Sequence, residues 1–159
     1  MKRSIITLCA LLLSQAHVLD ANALDGKSSA PGRIYFIRHS SILSSLGKPD
    51  IRVDGKLVGE LRVASYIVVD RPAGPHTITV VGAMDSVGCE AEIRVQPGMS
   101  HYFEMGPVVI TNADAFRLDS MGITGRPLGC RNKHQTPHMF YSLDAATGAA
   151  AVAKVKKAN

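Results

Sequence analysis

Between residues 33 and 105 apolar and polar positions alternate with a period close to two, the signature of half-buried strands. Residues 33–39, RIYFIRH, put Ile34, Phe36 and Arg38 on one side and Tyr35, Ile37 and His39 on the other. The centre of that segment is apolar on both faces, as in a central strand of a sandwich. In residues 89–95 the alternation is unbroken: Cys89, Ala91, Ile93 and Val95 share one face, and Glu90, Glu92 and Arg94 share the other, so Cys89 should point inward. Residues 100–105 set His101, Phe103 and Met105 against Tyr102 and Glu104. Residues 65–70, SYIVVD, are β-branched and aromatic without clean alternation and predict a strand buried on both faces, while residues 77–81 put Ile78 and Val80 on one side. A last strand is expected over residues 138–144.

Turn chemistry separates these runs. Asp54-Gly55 is a hairpin signal, and a three-residue loop ending on Gly55 keeps the faces cleanest, because it pairs Ile51 with Leu57 and Arg52 with Lys56. Pro72, Gly74 and Pro75 mark a second turn and Pro97-Gly98 a third, both read as hairpins. Residues 40–49 form a Ser/Gly-rich loop, and residues 106–137 have little periodicity. A stretch of that length without regular structure is either functional or tied down. The alanine-rich residues 147–157 predict a short helix with its lysines at the favourable end. About seven strands with turn signals about every 8 to 12 residues imply an all-β chain, an antiparallel β-sandwich with a short C-terminal helix.

The N-terminus changes where this domain is expected to live. Lys2 and Arg3 precede the apolar run 5–13, and Ala21-Asn22-Ala23 fits the small-x-small cleavage pattern of a secretory leader. The organisation that follows is a signal peptide over residues 1–23, a flexible lead-in over 24–32, a β-sandwich over 33–145, and an Ala/Lys-rich helix or tail over 146–159. The apolar run is far below the roughly 20 residues of a spanning helix, so no transmembrane segment is expected after cleavage. Ile6, Thr7 and Leu8 before Cys9 are not the small residues that precede a lipidated cysteine. Loss of the leader takes basic residues from 18 to 16, acidic from 13 to 12, and net charge from +5 to +4. With Lys154, Lys156 and Lys157 as the one basic cluster, nucleic acid is not an expected partner.

Cleavage also removes Cys9 and leaves Cys89 and Cys130 in an oxidising compartment, periplasmic or extracellular, where they are expected to form a disulfide. Closing a loop of about 40 residues stabilises by about 4 kcal/mol in the chain-entropy account. Two buried thiols or a redox pair are the alternative, without C-x-x-C spacing behind it. Cys130, His134 and His138 have the spacing C-x3-H-x3-H and are metal-ligand types, although Pro137 keeps the histidines off one helix face and the disulfide uses the cysteine. Glu90 and Glu92 at i and i+2 form a carboxylate pair or a solvent-facing stripe. Ser100-His101 lacks the glycine of a nucleophile elbow, and His39 and His76 read as turn hydrogen-bonders. No cofactor is expected, since phosphate loops and the metalloprotease helix motif are absent.

Several of these stretches together carry a likeness. Tyr35-Phe36-Ile37-Arg38-His39-Ser40-Ser41, Val53-Asp54-Gly55-Lys56-Leu57-Val58-Gly59-Glu60-Leu61, Tyr66 to Val69, Pro72-Ala73-Gly74-Pro75-His76-Thr77-Ile78, then Pro97-Gly98 and Tyr102-Phe103 resemble a bacterial secreted or lipoprotein domain of unknown function, family twenty-eight forty-six. The Val-Asp-Gly-Lys and Pro-x-Gly-x-His elements are also similar to PEGA-type surface sandwich domains. The likeness covers residues 33–105 and the close at 140–148, and it implies a small envelope β-sandwich with no assigned activity. Two functions follow as expectations. One is a non-enzymatic module that binds an envelope protein or surface component through loops or strand edges. The other is a small periplasmic hydrolase or metal-binding protein using residues 106–137.

Overall fold

Strand β1, Gly32–Arg38, lies at the centre of the larger of two sheets, as its doubly apolar middle requires. The computed structural model describes residues 30–40, 47–82, 88–108, 118, 121–132 and 135–158. The expected leader with Cys9, residues 24–29 of the expected lead-in and His134 lie outside them. Along the described chain follow β2 (Asp50–Val53), β3 (Lys56–Glu60), β4 (Ser65–Arg71), β5 (Gly74–Val81), β6 (Cys89–Val95), β7 (Ser100–Pro107), β8 (Arg126–Pro127), β9 (His138–Leu143), helix α1 (Ala145–Ala153) and β10 (Lys156–Lys157). Sheet A has the order β10-β4-β1-β7-β9-β8 and sheet B the order β3-β2-β5-β6. The all-β sandwich with one short C-terminal helix is therefore the fold.

Sheet A is not wholly antiparallel. β1 pairs antiparallel with β4, with Phe36 opposite Ile67, but parallel with β7, with Phe36 opposite Phe103. A parallel neighbour cannot be reached by a tight turn, so the chain leaves the sheet and returns. For that reason the turns at residues 72–73 and 96–99 are not hairpins: the first carries the chain from β4 in sheet A to β5 in sheet B, and the second from β6 in sheet B to β7 in sheet A. Pro and Gly bend the backbone equally well within a sheet or between two.

The Asp54-Gly55 hairpin is genuine but one residue shorter than the face argument favours. Val53 pairs with Lys56 and Arg52 with Leu57, and the register shifts between Ile51 and Arg52 so that Ile51 faces Gly59. Asp54 (φ 53°) and Gly55 (φ 75°) both occupy the left-handed region, the geometry of a two-residue turn whose twist matches the strands. The bulge restores the faces further along, and Leu57 is left 57% exposed on an edge strand.

Inner-face residues of sheet A, Ile34, Phe36, Phe103 and Phe140, pack with Ile51, Val53, Ile78 and Val80 of sheet B in one core. On the outer face of sheet A, Tyr35 stacks on Tyr102 with ring centroids 4.8 Å apart and meets Tyr66 at 6.0 Å. Helix α1 closes over this row. Asp144 caps it, accepting hydrogen bonds from the amides of Ala146 and Thr147, each at 3.0 Å. The helix ends before the lysines, because Lys156 and Lys157 add a short parallel strand to the edge of β4, opposite Ser65 and Tyr66.

The helix approaches the sheet at Gly148, where an added Cβ would stand 2.2 Å from Cγ of Tyr102. Helix propensity alone makes Gly148→Ala stabilising by about 1 kcal/mol. The contact makes it destabilising, since the Tyr102 ring is backed by Tyr35 and overpacking of this kind costs about 1–3 kcal/mol. We expect a net loss, read as a lower denaturant midpoint for Gly148→Ala than for the parent chain.

Candidate functional site

Each described passage between the sheets is held by a polar side chain. Arg38 continues the inner face of β1 beyond Phe36 and is 1% exposed, and burial pushes its guanidinium below the usual value. Its Nη1 donates to the carbonyl of Gly47 at 3.0 Å and to that of Leu61 at 2.9 Å, fixing both the approach to β2 and the exit from β3. At the β4–β5 passage His76 places Nε2 2.8 Å from the carbonyl of Pro72 and Nδ1 2.8 Å from Oδ2 of Asp54. Both partners are acceptors, so both bonds form together when both ring nitrogens donate. Asp54 Oδ1 accepts the Thr77 amide at 3.0 Å. Desolvation pushes the Asp54 carboxyl up, but the His76 and Thr77 hydrogen bonds with the charges of His76 and Arg71 outweigh it and hold the group below the usual carboxylate range.

At the β6–β7 passage Nε2 of His101 accepts the amide of Gln96 at 3.0 Å. Burial pushes this imidazole below its usual range, toward the neutral form that can accept. Thus His76 and His101 each tie a passage between the sheets through a ring nitrogen.

The aperiodic stretch 106–137 is tied down across its described part. Glu104 lies on the outer face of β7 yet is 1% exposed: Oε1 accepts the amides of Thr124 at 2.8 Å and Gly125 at 2.6 Å, and Oε2 is 3.0 Å from Nε2 of His39. β8 then pairs with β9, and the Leu128 amide donates to the Phe140 carbonyl at 2.9 Å. Beyond it the chain reaches sheet B. Cys130 stands at disulfide distance from Cys89, with Cα atoms 5.3 Å apart, and the Arg131 amide donates to the Glu90 carbonyl at 3.1 Å. Residues 121–132 are a strap from the outer face of sheet A to the edge of β6.

Between the strap and α1 a cavity of about 400 Å³ is lined by Thr124, Arg126, Ser142, Leu143, Asp144 and Thr147. The Thr147 hydroxyl, the Thr147 amide and the Ala146 amide hold the Asp144 carboxyl below its usual range despite desolvation, so it acts as a helix cap. What the cavity offers is hydrogen bonding from hydroxyls and a guanidinium.

Among the residues singled out by sequence, Asp54, Gly55, Pro72, Gly74, Pro97 and Gly98 stand at the hairpin and the two passages. Cys89 points inward at 1% exposure. Glu90 and Glu92 receive Arg131 at 3.2 and 2.9 Å, so the carboxylate pair clamps the strap. His138 begins β9 opposite Pro107, and His134 of the Cys130, His134 and His138 set lies outside the described residues. Among the described residues no group of three or more His, Cys, Asp or Glu is placed to hold a metal. Sequence reasoning missed Arg38 and Glu104. The signal for Arg38 was present, since the alternation of β1 already set it on the face of Ile34 and Phe36. For Glu104 there was none, because its partners lie 20 or more residues away in a stretch without periodicity.

Replacing Glu104 by Ala strands two part-buried backbone amides and removes the carboxylate partner of His39. The expected loss is about 3 kcal/mol of unfolding free energy, with early protease cleavage within 121–132 as the local readout. For pH, His101 and Asp54 both have folded values below their unfolded ones. His101 then contributes stability at neutral pH that is lost as pH falls below the usual imidazole range, and Asp54 contributes stability lost as pH falls through its depressed carboxyl value. Urea midpoints followed by tyrosine fluorescence should fall in two stages on acidification, and His101→Gln should remove the first stage only.

No helix among the described residues is long and apolar enough to cross a membrane. No curated protein and no solved structure matches the chain. One family model does, described as Protein of unknown function (DUF2846), over residues 28–115. That match takes in β1 to β7, including the Asp54 and His76 turns, and stops before the strap, β9 and α1. It spans more than half of the chain, and the protein belongs to the DUF2846 family.

Proposed function

We propose that the chain is an exported, non-enzymatic module of the cell envelope that binds a partner protein by strand addition at the open edge of sheet B. The observation that carries this reading is β3. Among the described residues it is paired to β2 on one side only, and it presents Leu57 at 57% exposure. An edge strand offers unpaired backbone donors and acceptors, and an exposed leucine beside them supplies a side-chain pocket contact. Lys56 and Glu60 at its ends discourage indiscriminate pairing and favour a strand with an acidic residue opposite Lys56 and a basic one opposite Glu60. Export is supported by Lys2 and Arg3 ahead of the apolar run 5–13 and by the Ala21-Asn22-Ala23 pattern. The non-enzymatic reading is supported by the engagement of His76, His101 and Glu104 in holding the frame, which leaves the hydrolase alternative with less behind it.

The test is a photo-cross-linking residue placed at position 57 of the full chain in living cells, with position 94 on β6 as the comparison. A discrete protein adduct from position 57 and not from 94, on a chain recovered from the envelope fraction with Leu24 at its N-terminus, is the expected result. Equal labelling from both positions, or a chain that keeps Met1 in the cytoplasm, overturns the proposal.

A further inference from the structure

Where the chain returns after α1, it builds a basic corner that neither segment contains alone. The Lys156 amide donates to the Ala64 carbonyl at 3.1 Å and the Ala158 amide to the Tyr66 carbonyl at 2.8 Å. These bonds lay the tail along β4 and bring Lys154, Lys156 and Lys157 to Arg62, about ninety residues away in sequence. The four cations line a cavity of about 400 Å³ with Val63 and Val155, and no acidic residue lines it. All four side chains are exposed, and none makes an ion pair or a side-chain hydrogen bond among the described residues. Val63 adds an apolar wall, 38% exposed.

The backbone around this cavity is held in place. Ala64 is in the left-handed region at φ 54°, a conformation unfavourable for a residue with a Cβ, and it is this geometry that offers its carbonyl to Lys156. The Ser65 hydroxyl donates to the Arg62 carbonyl at 2.7 Å and closes the same turn. The end of α1 points here too, but its last carbonyls are occupied: Ala151 accepts the Lys154 amide at 3.1 Å and Val152 the Val155 amide at 3.3 Å. Four like charges held around one cavity repel one another, and a bound anion removes that repulsion.

We propose that this corner is a binding site for a phosphate ester, its phosphate held by Arg62, Lys154, Lys156 and Lys157 and its organic part against Val63 and Val155. The phosphate is carried either by a lipid headgroup or by a soluble molecule, and the chemistry of recognition is shared. Arginine supplies forked donors to phosphate oxygens, and lysines supply point charges.

Two arms separate the sources. In the first, the chain is sedimented with phosphatidylcholine vesicles containing phosphatidylglycerol and with phosphatidylcholine vesicles alone. In the second, glycerol 3-phosphate is titrated while amide resonances of residues 62–66 and 154–158 are followed. The variant is Lys156→Gln with Lys157→Gln, which keeps the backbone pairing to β4. A charge-matched control, Arg52→Gln with Arg94→Gln, lies on sheet B outside the cavity.

Binding to the anionic vesicles that weakens about 25-fold in the first variant, near fivefold for each basic residue lost, and little in the control supports the site with a lipid source. Saturable shifts confined to the two segments and lost in the first variant support it with a soluble source. Absence of a response in both arms, or equal weakening in variant and control, overturns it. Arg62→Gln, on the other side of the cavity, should weaken binding in whichever arm responds; an unchanged affinity there also counts against the site.

Discussion

The parallel pairing of β1 with β7 is the constraint to which the rest of the fold answers. Two parallel neighbours cannot be joined by a turn, so every element between them has to be accommodated on a path that leaves sheet A and comes back. The chain uses that path to lay down all four strands of sheet B and to return once to sheet A for β4. The core is then assembled from inner faces supplied alternately by the two sheets.

Passages between sheets bring backbone polar groups to the rim of the core, where water is partly excluded and each donor or acceptor needs a partner. Arg38, His76 with Asp54, and His101 meet that need at successive passages. The Asp54 and His76 elements that carry the family likeness acquire a physical meaning from this. The aspartate belongs to the β2–β3 hairpin and the histidine to β5, and their contact locks the hairpin to the bend that enters sheet B. A turn motif read as local is half of a tertiary contact.

The C-terminal third works differently. Glu104 holds the strap on sheet A, and Cys130 with Arg131 holds it at β6, so one short stretch bridges the two sheets at one side. Helix α1 covers the tyrosine row next to it, and β10 extends the far edge of the same sheet. The family match ends before the strap, α1 and β10, whereas Arg62 and Val63 of the basic corner lie within it.

Alternation determined much by itself. The inward faces of β1, β6 and β7, the inward direction of Cys89 and the boundaries of most strands follow from a period of two, because one strand face must leave water whatever lies across from it. The expected leader is likewise a reading of the sequence, independent of the fold. The turn length at Asp54-Gly55 was less legible, because a bulge further along β3 repairs the faces that a two-residue turn disturbs. Only the tertiary structure decided which strands are neighbours. Pro72 and Pro97 bend the chain without saying whether it folds back in its own sheet or crosses to the other, and that choice is made by the packing of side chains distant in sequence. The same holds for the buried carboxylate of Glu104 and for the cations gathered at Arg62. Their partners come from stretches with no periodicity of their own, so the contact exists only once the strands have set those stretches side by side.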